Sequence, residues 1–249
     1  MYRYAITLFC IINILVSQDM TGYDLAKKID QKEQPKSSKS NITMDLINLK
    51  NDKQKTKEMI SLSKDDGSKM LLFFKTPKRD KGVGFLKIES DEMDKISLFI
   101  PKLKKIRRIS SSGQSDSFMG SDLSFEDMLS RNLDDFKYTL IETTEDMYIL
   151  ESICKDTESA YSRHLSWVSK DQLLITKEES YDKNNKLLKE KLFEHVKISD
   201  YYIISTIDVT SIQDQHRTIL SINTLEVDGD ISDDIFQEIS LKRFKKFLK

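Results

Sequence analysis

From Asn41 to Val227, apart from a central loop, the apolar residues of this chain recur at a spacing of two, interrupted by short polar turns. That period puts alternate side chains on opposite faces of an extended backbone, and the short connections leave no room for crossover helices, so the strands pair antiparallel. "NITMDLINLK" sets Ile42, Met44 and Leu46 toward one side, and "TKEMISLSK", "KMLLFFKT", "VGFLKIE" and "KISLFIPK" follow, each behind a turn such as "DDGS" or "PKRDKG". Strands resume at Tyr138–Thr143, Met147–Cys154, His164–Ser169, Gln172–Tyr181, Leu187–Val196, Tyr201–Thr210 and His216–Val227. Before them Thr21 starts a helix carrying Tyr23, Leu25, Ala26 and Ile29 at near-helical spacing. A helix-like stretch in the middle and a last one, "SDDIFQEISLKRFKKFLK", complete the pattern. The expectation is a mainly β chain: one curved antiparallel sheet of about eleven strands, with a few helices covering the apolar face that an open sheet would otherwise expose. Pattern alone does not separate an open sheet from a closed barrel. With no Pro/Gly-rich linker and no fixed-period repeat, residues 18–249 read as a single domain.

Residues 1–17 read as an export signal. Arg3 supplies the positive end, and Ala5 to Val16 form an apolar run too short to cross a bilayer but of signal-peptide length, with cleavage near Ser17. The alternative is an uncleaved membrane anchor. Removal takes Cys10 away and leaves Cys154 as the one thiol, a small buried hydrophobe in "MYILESICK". Charged residues make up 33% of the 249, yet the net charge is −1, so no general basic field for nucleic acid is implied.

Catalytic signatures are absent. His164, His195 and His216 share no metal-ligand spacing and read as solvated or core-satisfied, and there is no nucleophile elbow, phosphate loop or Cys-x-x-Cys. "DGDISDD" has the carboxylates of a calcium loop but not their spacing, and reads as a turn followed by a cap at Asp233. Two basic clusters stand out. "PKLKKIRRI", Pro101 to Ile109, is a lysine-protected strand edge or a contact for anionic headgroups or an acidic partner; "LKRFKKFLK" is a tail docked on the sheet or one lying on a membrane.

One segment fits none of this: "RRISSSGQSDSFMGSDLSFEDM" places an apolar Phe118-Met119 pair inside a polar loop. With its preceding strand it resembles the signature of the outer-membrane lipoprotein-sorting proteins of the LolA-like group. The resemblance runs through Pro101, Lys102, Arg107 and Arg108, then Ser117-Phe118-Met119-Gly120-Ser121-Asp122, then Ser124-Phe125-Glu126-Asp127. "LSWVSKDQLLITKEESYDKNNKLLKE" and "HRTILSINTLEVDGDISDDIF" are similar to later strands of that family, and Asn185 stands where glycine is common, as a residue that tolerates positive φ.

The resemblance implies a LolA/LolB-like half-barrel with an apolar concavity for acyl chains, working as a periplasmic carrier of lipoprotein or lipid toward the outer membrane. It implies no cofactor, no bond-making and no nucleic acid, an inner-membrane transporter and an outer-membrane acceptor as partners, and a monomer. Phe118 and Met119 would point back into the cavity, with Phe74, Phe85 and Leu98 as lining candidates. Arg107 and Arg108 would tie the loop to carboxylates such as Asp122 or Glu126, or meet a phosphate headgroup. Two readings of the loop stand, a plug that yields to cargo and a permanent anchor. A non-transporting sensor of the same fold, recognising a lipidated ligand or membrane protein, is the second function considered, and an enzyme acting on lipid or envelope polymer the third.

Overall fold

The computed structural model describes residues 20–90 and 94–248; the export signal expected at 1–17 lies outside them. Helix α1 (Gly22–Asp30) begins where expected: the Thr21 hydroxyl accepts from the Asp24 amide and the Asp24 carboxylate accepts from the Thr21 amide, a reciprocal cap. Thirteen strands follow, not about eleven: β1 (Ser37–Asn48), β2 (Lys53–Lys64), β3 (Lys69–Thr76), β4 (Gly84–Ile88), β5 (Lys95–Ile100), β6 (Lys105–Ile109), β7 (Phe136–Thr143), β8 (Met147–Cys154), β9 (Arg163–Ser169), β10 (Ile175–Tyr181), β11 (Leu187–Ile198), β12 (Tyr201–Ser211) and β13 (His216–Val227). One antiparallel sheet holds them all in the order β6-β5-β4-β3-β2-β1-β13-β12-β11-β10-β9-β8-β7. It is open, with β6 and β7 as its edges, so the basic cluster 101–109 does supply an edge strand. Asn185 sits in the β10–β11 turn at φ 58°, the left-handed conformation anticipated for it.

The order has a geometric consequence. Residues 110–135 connect β6 to β7, the two opposite edges. Twelve interstrand gaps of ~4.8 Å make a flat sheet about 58 Å wide. The connection doubles back on itself, since the Glu126 amide donates to the Gln114 carbonyl and the Phe125 amide to the Asp116 carbonyl. Only about fifteen residues then contribute net travel, at most ~50 Å even if fully extended, and several of them are in 3₁₀ turns that rise only ~2 Å per residue. The sheet therefore curls, and the connection crosses its inner face.

Both faces are packed, by different parts of the chain. On the inner face Met44, Met59, Leu72, Phe74, Phe85, Ile96 and Leu98 meet Phe118 and Phe125 of the crossing connection. Farther along, α1 lays Leu25, Ala26 and Ile29 on Leu150, Val168 and Tyr138. On the outer face Ile60, Leu71, Phe73 and Leu86 are covered by Phe236, Leu241, Phe244 and Phe247 of the C-terminal segment. The run Leu71–Phe74, apolar on both sides in sequence, is thus buried on both sides, even positions inward and odd positions outward.

The helix expected for the tail is instead a series of 3₁₀ turns, Asp233–Ile235, Glu238–Lys242 and Phe244–Phe247, capped by Ser232 and not Asp233. Leu241, Phe244 and Phe247 are three residues apart, the period that a 3₁₀ turn lines up on one side. The middle helix is likewise reduced to 3₁₀ turns at Ser111–Gly113, Glu126–Met128 and Leu133–Asp135. There the hydroxyls of Ser117, Ser121 and Ser124 bond local backbone groups or the Asp127 carboxylate, which competes with helix formation. Cys154 is partly buried, its thiol directed at the Asp156 carbonyl.

Gly22 marks the tightest contact of α1: a Cβ there would lie 2.7 Å from the Leu140 nitrogen and 2.8 Å from Thr139 Cα of β7. Backbone gives way less readily than a side chain, so Gly22→Ala should destabilise the fold by about 1–3 kcal/mol, read as a lowered thermal midpoint.

Candidate functional site

The crossing connection is placed by its own sequence. An antiparallel bridge between Ser117 and Ser124 closes a small loop, with the Phe118 amide donating to the Leu123 carbonyl at 2.7 Å. Met119 and Gly120 at its tip have φ of 54° and 79°; these turn the chain so that Phe118 points into the inner face while Gly120 stays outside. Phe118 is 2% exposed and packs edge-on to Phe85 (5.2 Å between centroids) and Phe125 (5.7 Å), with Phe74 at 6.1 Å. Met119 is partly buried against the same cluster.

Beside this aromatic cluster lies an apolar chamber of about 250 Å³, lined by Ile42, Met59, Met70 and Leu72 on β1–β3, Ile204, Ile207, Leu220 and Ile222 on β12–β13, and Phe118, Leu123 and Met128 of the connection. Phe74, Phe85 and Leu98, expected as lining, share its face but are buried in the same cluster as Phe118 and do not form the chamber's wall. The chamber wall includes Met70 and Leu72 of β3, the strand that also carries Phe74, and otherwise lies toward β1, β2, β12 and β13.

A second, polar chamber of about 540 Å³ adjoins the first, sharing Leu123, Asp127, Ile204 and Ile207. Two of its lining residues, Glu178 and Lys191, belong to a row set by the strand register: Ser166 (β9), Glu178 (β10), Lys191 (β11), Val209 (β12) and Thr218 (β13) pair in sequence across the sheet and so share the inner face. Asp127 descends onto this row. Ser124 orients it through its amide (2.8 Å) and hydroxyl (2.9 Å); Lys191 reaches one carboxylate oxygen at 2.6 Å, and Lys189 (3.0 Å) and the Tyr161 hydroxyl (2.8 Å) reach the other. Lys191 also donates to Glu178 at 3.2 Å, and Arg131 holds Glu178 through two nitrogens. The side chains of Asp127, Glu178 and Lys191 are 2%, 3% and 5% exposed. Burial pushes the Asp127 carboxyl up, but Lys191 and Lys189 outweigh it and hold the acid well below its usual range; Arg131 and Lys191 do the same for Glu178. Tyr161 is driven well above the phenol range by burial and by Asp127, and so stays a donor.

Two further contacts hold the loop. The Asp122 carboxylate takes the Thr218 hydroxyl at 2.6 Å and lies 2.7 Å from His216 Nδ1, while its amide donates to Thr218 Oγ1. The buried Lys57 donates to the Met119 carbonyl at 2.7 Å and pairs with Asp80 at 3.0 Å. The arginines do not take the carboxylates suggested for them. Successive residues of β6 face opposite sides, so Arg107 meets Asp116 of the connection (3.6 Å) while Arg108 turns outward to Glu238 of the tail (2.8 Å). Asp122 is occupied on β13, and Glu126 accepts from the Ser159 hydroxyl and the Ala160 amide. The buried network was missed in the sequence; a run of polar inward positions on consecutive strands, such as His164 and Ser166, Glu178 and Ser180, Lys189 and Lys191, is the signal that could have found it, and reading strands one at a time hides it.

A family model described as "Uncharacterized protein"-like matches residues 66–243. No curated protein matches the chain. Among solved structures the chain is similar to an outer membrane lipoprotein-sorting protein domain from Vibrio parahaemolyticus, at 27% identity and TM-score 0.83, over 89% of this chain and 98% of that one. It is also similar to a DUF1329 family protein from Desulfovibrio piger, at 31% identity and TM-score 0.81, over 88% and 97%. A LolA superfamily protein from Nitrosomonas europaea shares the fold at 19% identity and TM-score 0.71, over 88% and 99%.

Two expectations follow from the buried network. Asp127→Asn removes the buried charge that Lys191 and Lys189 share and should cost about 3–5 kcal/mol in urea denaturation, against under about 1 kcal/mol for exposed Asp134→Asn. Burial and then Arg131 push His164 down to about 3 from 6.5. Between these values the unfolded chain binds a proton that the folded one refuses, so stability falls as pH drops below 6.5. From pH 6.5 to 4.5 the loss should be about 2 kcal/mol and should shrink in His164→Gln, leaving the smaller contribution of His195, which burial also lowers. Below about 4.5 the losses from Asp127 and Glu178 should appear in both proteins.

Proposed function

Because the chain belongs to the outer-membrane lipoprotein-sorting proteins, with the LolA-superfamily fold, we propose that it is a periplasmic carrier: residues 1–17 direct export, and residues 18–249 act as one monomeric unit that takes acyl chains of lipoprotein or lipid at the inner membrane and moves them toward the outer one. The observation that carries this reading is Phe118, an aromatic ring presented by a polar loop to an apolar chamber lined by strand residues. Cargo is held by burial alone. At ~0.8 kcal/mol per methylene, a chain of about fourteen carbons has a gross driving force of about 10 kcal/mol. The chamber's 250 Å³ lies below the ~300–1,000 Å³ of ordinary ligand sites, so cargo must displace Phe118, Leu123 or Met128. The cost of that displacement keeps binding reversible, as release requires. Five methionines, Met44, Met59, Met70, Met119 and Met128, belong to or pack on the surrounding cluster, and their flexible thioethers suit a site that reshapes around varied chains. An inner-membrane transporter as donor and an outer-membrane acceptor complete the route.

One observation favours the second reading, a sensor that keeps its plug in place: the loop is held at Asp122, Asp127 and Lys57 together. Native mass spectrometry of the protein purified without detergent, followed by extraction, separates the two. A carrier should bring a lipid or acylated peptide with it. A photoreactive residue at Ile207 should crosslink an acyl probe that the same residue at outward-facing Leu192 does not. Phe118→Ala should lose about 3–5 kcal/mol of stability yet bind the probe more tightly, since ring and cargo compete. A protein that stays free of lipid, with equal crosslinking at both positions, would assign the chain to the sensor reading.

A further inference from the structure

We propose that one end of the sheet is a docking surface for anionic lipid headgroups. It is built from three segments far apart in sequence. The β3–β4 turn carries Lys78, Arg79 and Lys81; the β5–β6 turn carries Lys102 and Lys104 and leads into Lys105; the tail carries Lys242, Arg243, Lys245 and Lys246. Gly82 is where they meet: the position of its absent Cβ lies 3.4 Å from the Pro101 ring and 3.5 Å from the Phe244 ring. Phe244 and Phe247 are fixed in turn against Phe73, at 5.7 and 5.2 Å between centroids, so the tail's cations are held beside the turns by packed aromatics.

All ten cations are exposed. Among the described residues only Arg79 has a carboxylate within ion-pair range, Asp80 at 3.5 Å, and that acid already pairs with buried Lys57 at 3.0 Å. The chain as a whole carries a formal charge of −1, so ten cations gathered at one end leave the remainder of the molecule acidic. Such a polarised molecule is oriented by a negative surface, not merely attracted to it. Lysines that guard a sheet edge are a commoner use of basic residues, and Lys105 on β6 fits it. Lys78, Arg79, Lys81 and the tail cations lie on no edge, so edge protection leaves most of the cluster unexplained.

A second observation selects a bilayer over a merely acidic partner. Leu103, at the tip of the β5–β6 turn beside left-handed Lys104, is 59% exposed, and Leu248 is 44% exposed next to Lys245 and Lys246. Apolar side chains projecting from a basic rim suit insertion below headgroups to which the lysines bind. The location matters as well. The loop tip at Met119 is held by Lys57 and through it by Asp80, inside the same basic β3–β4 turn. Docking therefore sets the loop tip against the membrane. The inference stands whether or not the apolar chamber carries cargo.

The test is co-sedimentation of the purified chain with phosphatidylcholine vesicles, with and without phosphatidylglycerol, at low and high salt. The quantity read is the ratio of binding to anionic over neutral vesicles, which removes any contribution that hydrophobic residues 1–17 make to both. The expected ratio is at least about tenfold at low salt and collapses at high salt. The quintuple change Lys102→Glu, Lys104→Glu, Lys105→Glu, Lys245→Glu, Lys246→Glu should bring it toward one, with an unchanged circular-dichroism melt showing that the fold is intact. Leu103→Ser should lower binding to anionic vesicles while leaving the salt dependence in place. A ratio near one for the unmodified chain, or the same ratio in the charge-reversed chain, overturns the proposal. Retention on polyglutamate without vesicle binding also overturns it and assigns the patch to an acidic protein.

Discussion

The connection between β6 and β7 must cross the whole sheet, and most of what distinguishes this structure follows from that constraint. A sheet of thirteen strands whose first and last members are joined by a chain of limited reach has to curl. Curling leaves an inner face, and the crossing chain has to lie over it. The inner face then needs side chains that accept a polar backbone along one track and side chains that exclude water elsewhere. Both are present: Lys189 and Lys191 receive Asp127 and Thr218 receives Asp122, while Phe74, Phe85, Met59 and Leu72 receive Phe118 and Phe125.

The two kinds of contact contribute differently. Burial of Phe118 and Phe125 supplies favourable free energy but little direction, because an apolar cluster tolerates rearrangement. The buried ions add little net stability, since their attraction roughly offsets the cost of dehydrating them. What they impose is position. Asp127 satisfies Lys191 only where Ser124, Tyr161 and Lys189 also converge, so the loop has one seating on the sheet. That seating holds Phe118 beside a chamber it only partly fills, and it is the arrangement from which the carrier reading is argued. Aromatic packing likewise assembles the basic surface, because Phe244 and Phe247 on Phe73 bring the C-terminal tail beside two turns.

Much of this was legible in the chain. Alternation located the strands of both halves, Thr21 marked the start of α1 through its hydroxyl cap, and Asn185 announced a left-handed turn. Phe118 and Met119 stood out as an apolar pair among serines, and it was the resemblance to the LolA-like signature that implied their inward direction; Phe118 is buried and Met119 partly so in the inner-face cluster. The arginine pair is instructive in the other direction. Arg107 and Arg108 read as one unit, but a strand separates neighbours onto opposite faces, and they fasten two different segments, the connection through Asp116 and the tail through Glu238. The tail also departs from the expected helix, because apolar residues spaced by three suit a 3₁₀ turn as well as an α-helix.

What the sequence determined by itself is what depends on neighbours along the chain: period, caps, turns, and the presence of an apolar anchor in a polar loop. What only the tertiary structure decided is what depends on register between strands. Ser166 on β9, Glu178 on β10, Lys191 on β11 and Thr218 on β13 align because hydrogen-bonded pairing carries one inward row across five strands. No local signal reports that alignment, since each strand alone shows only an ordinary polar residue at an inward position. The chamber is a property of register too, formed where β1, β3, β12 and β13 happen to present apolar residues beside the place the loop is pinned.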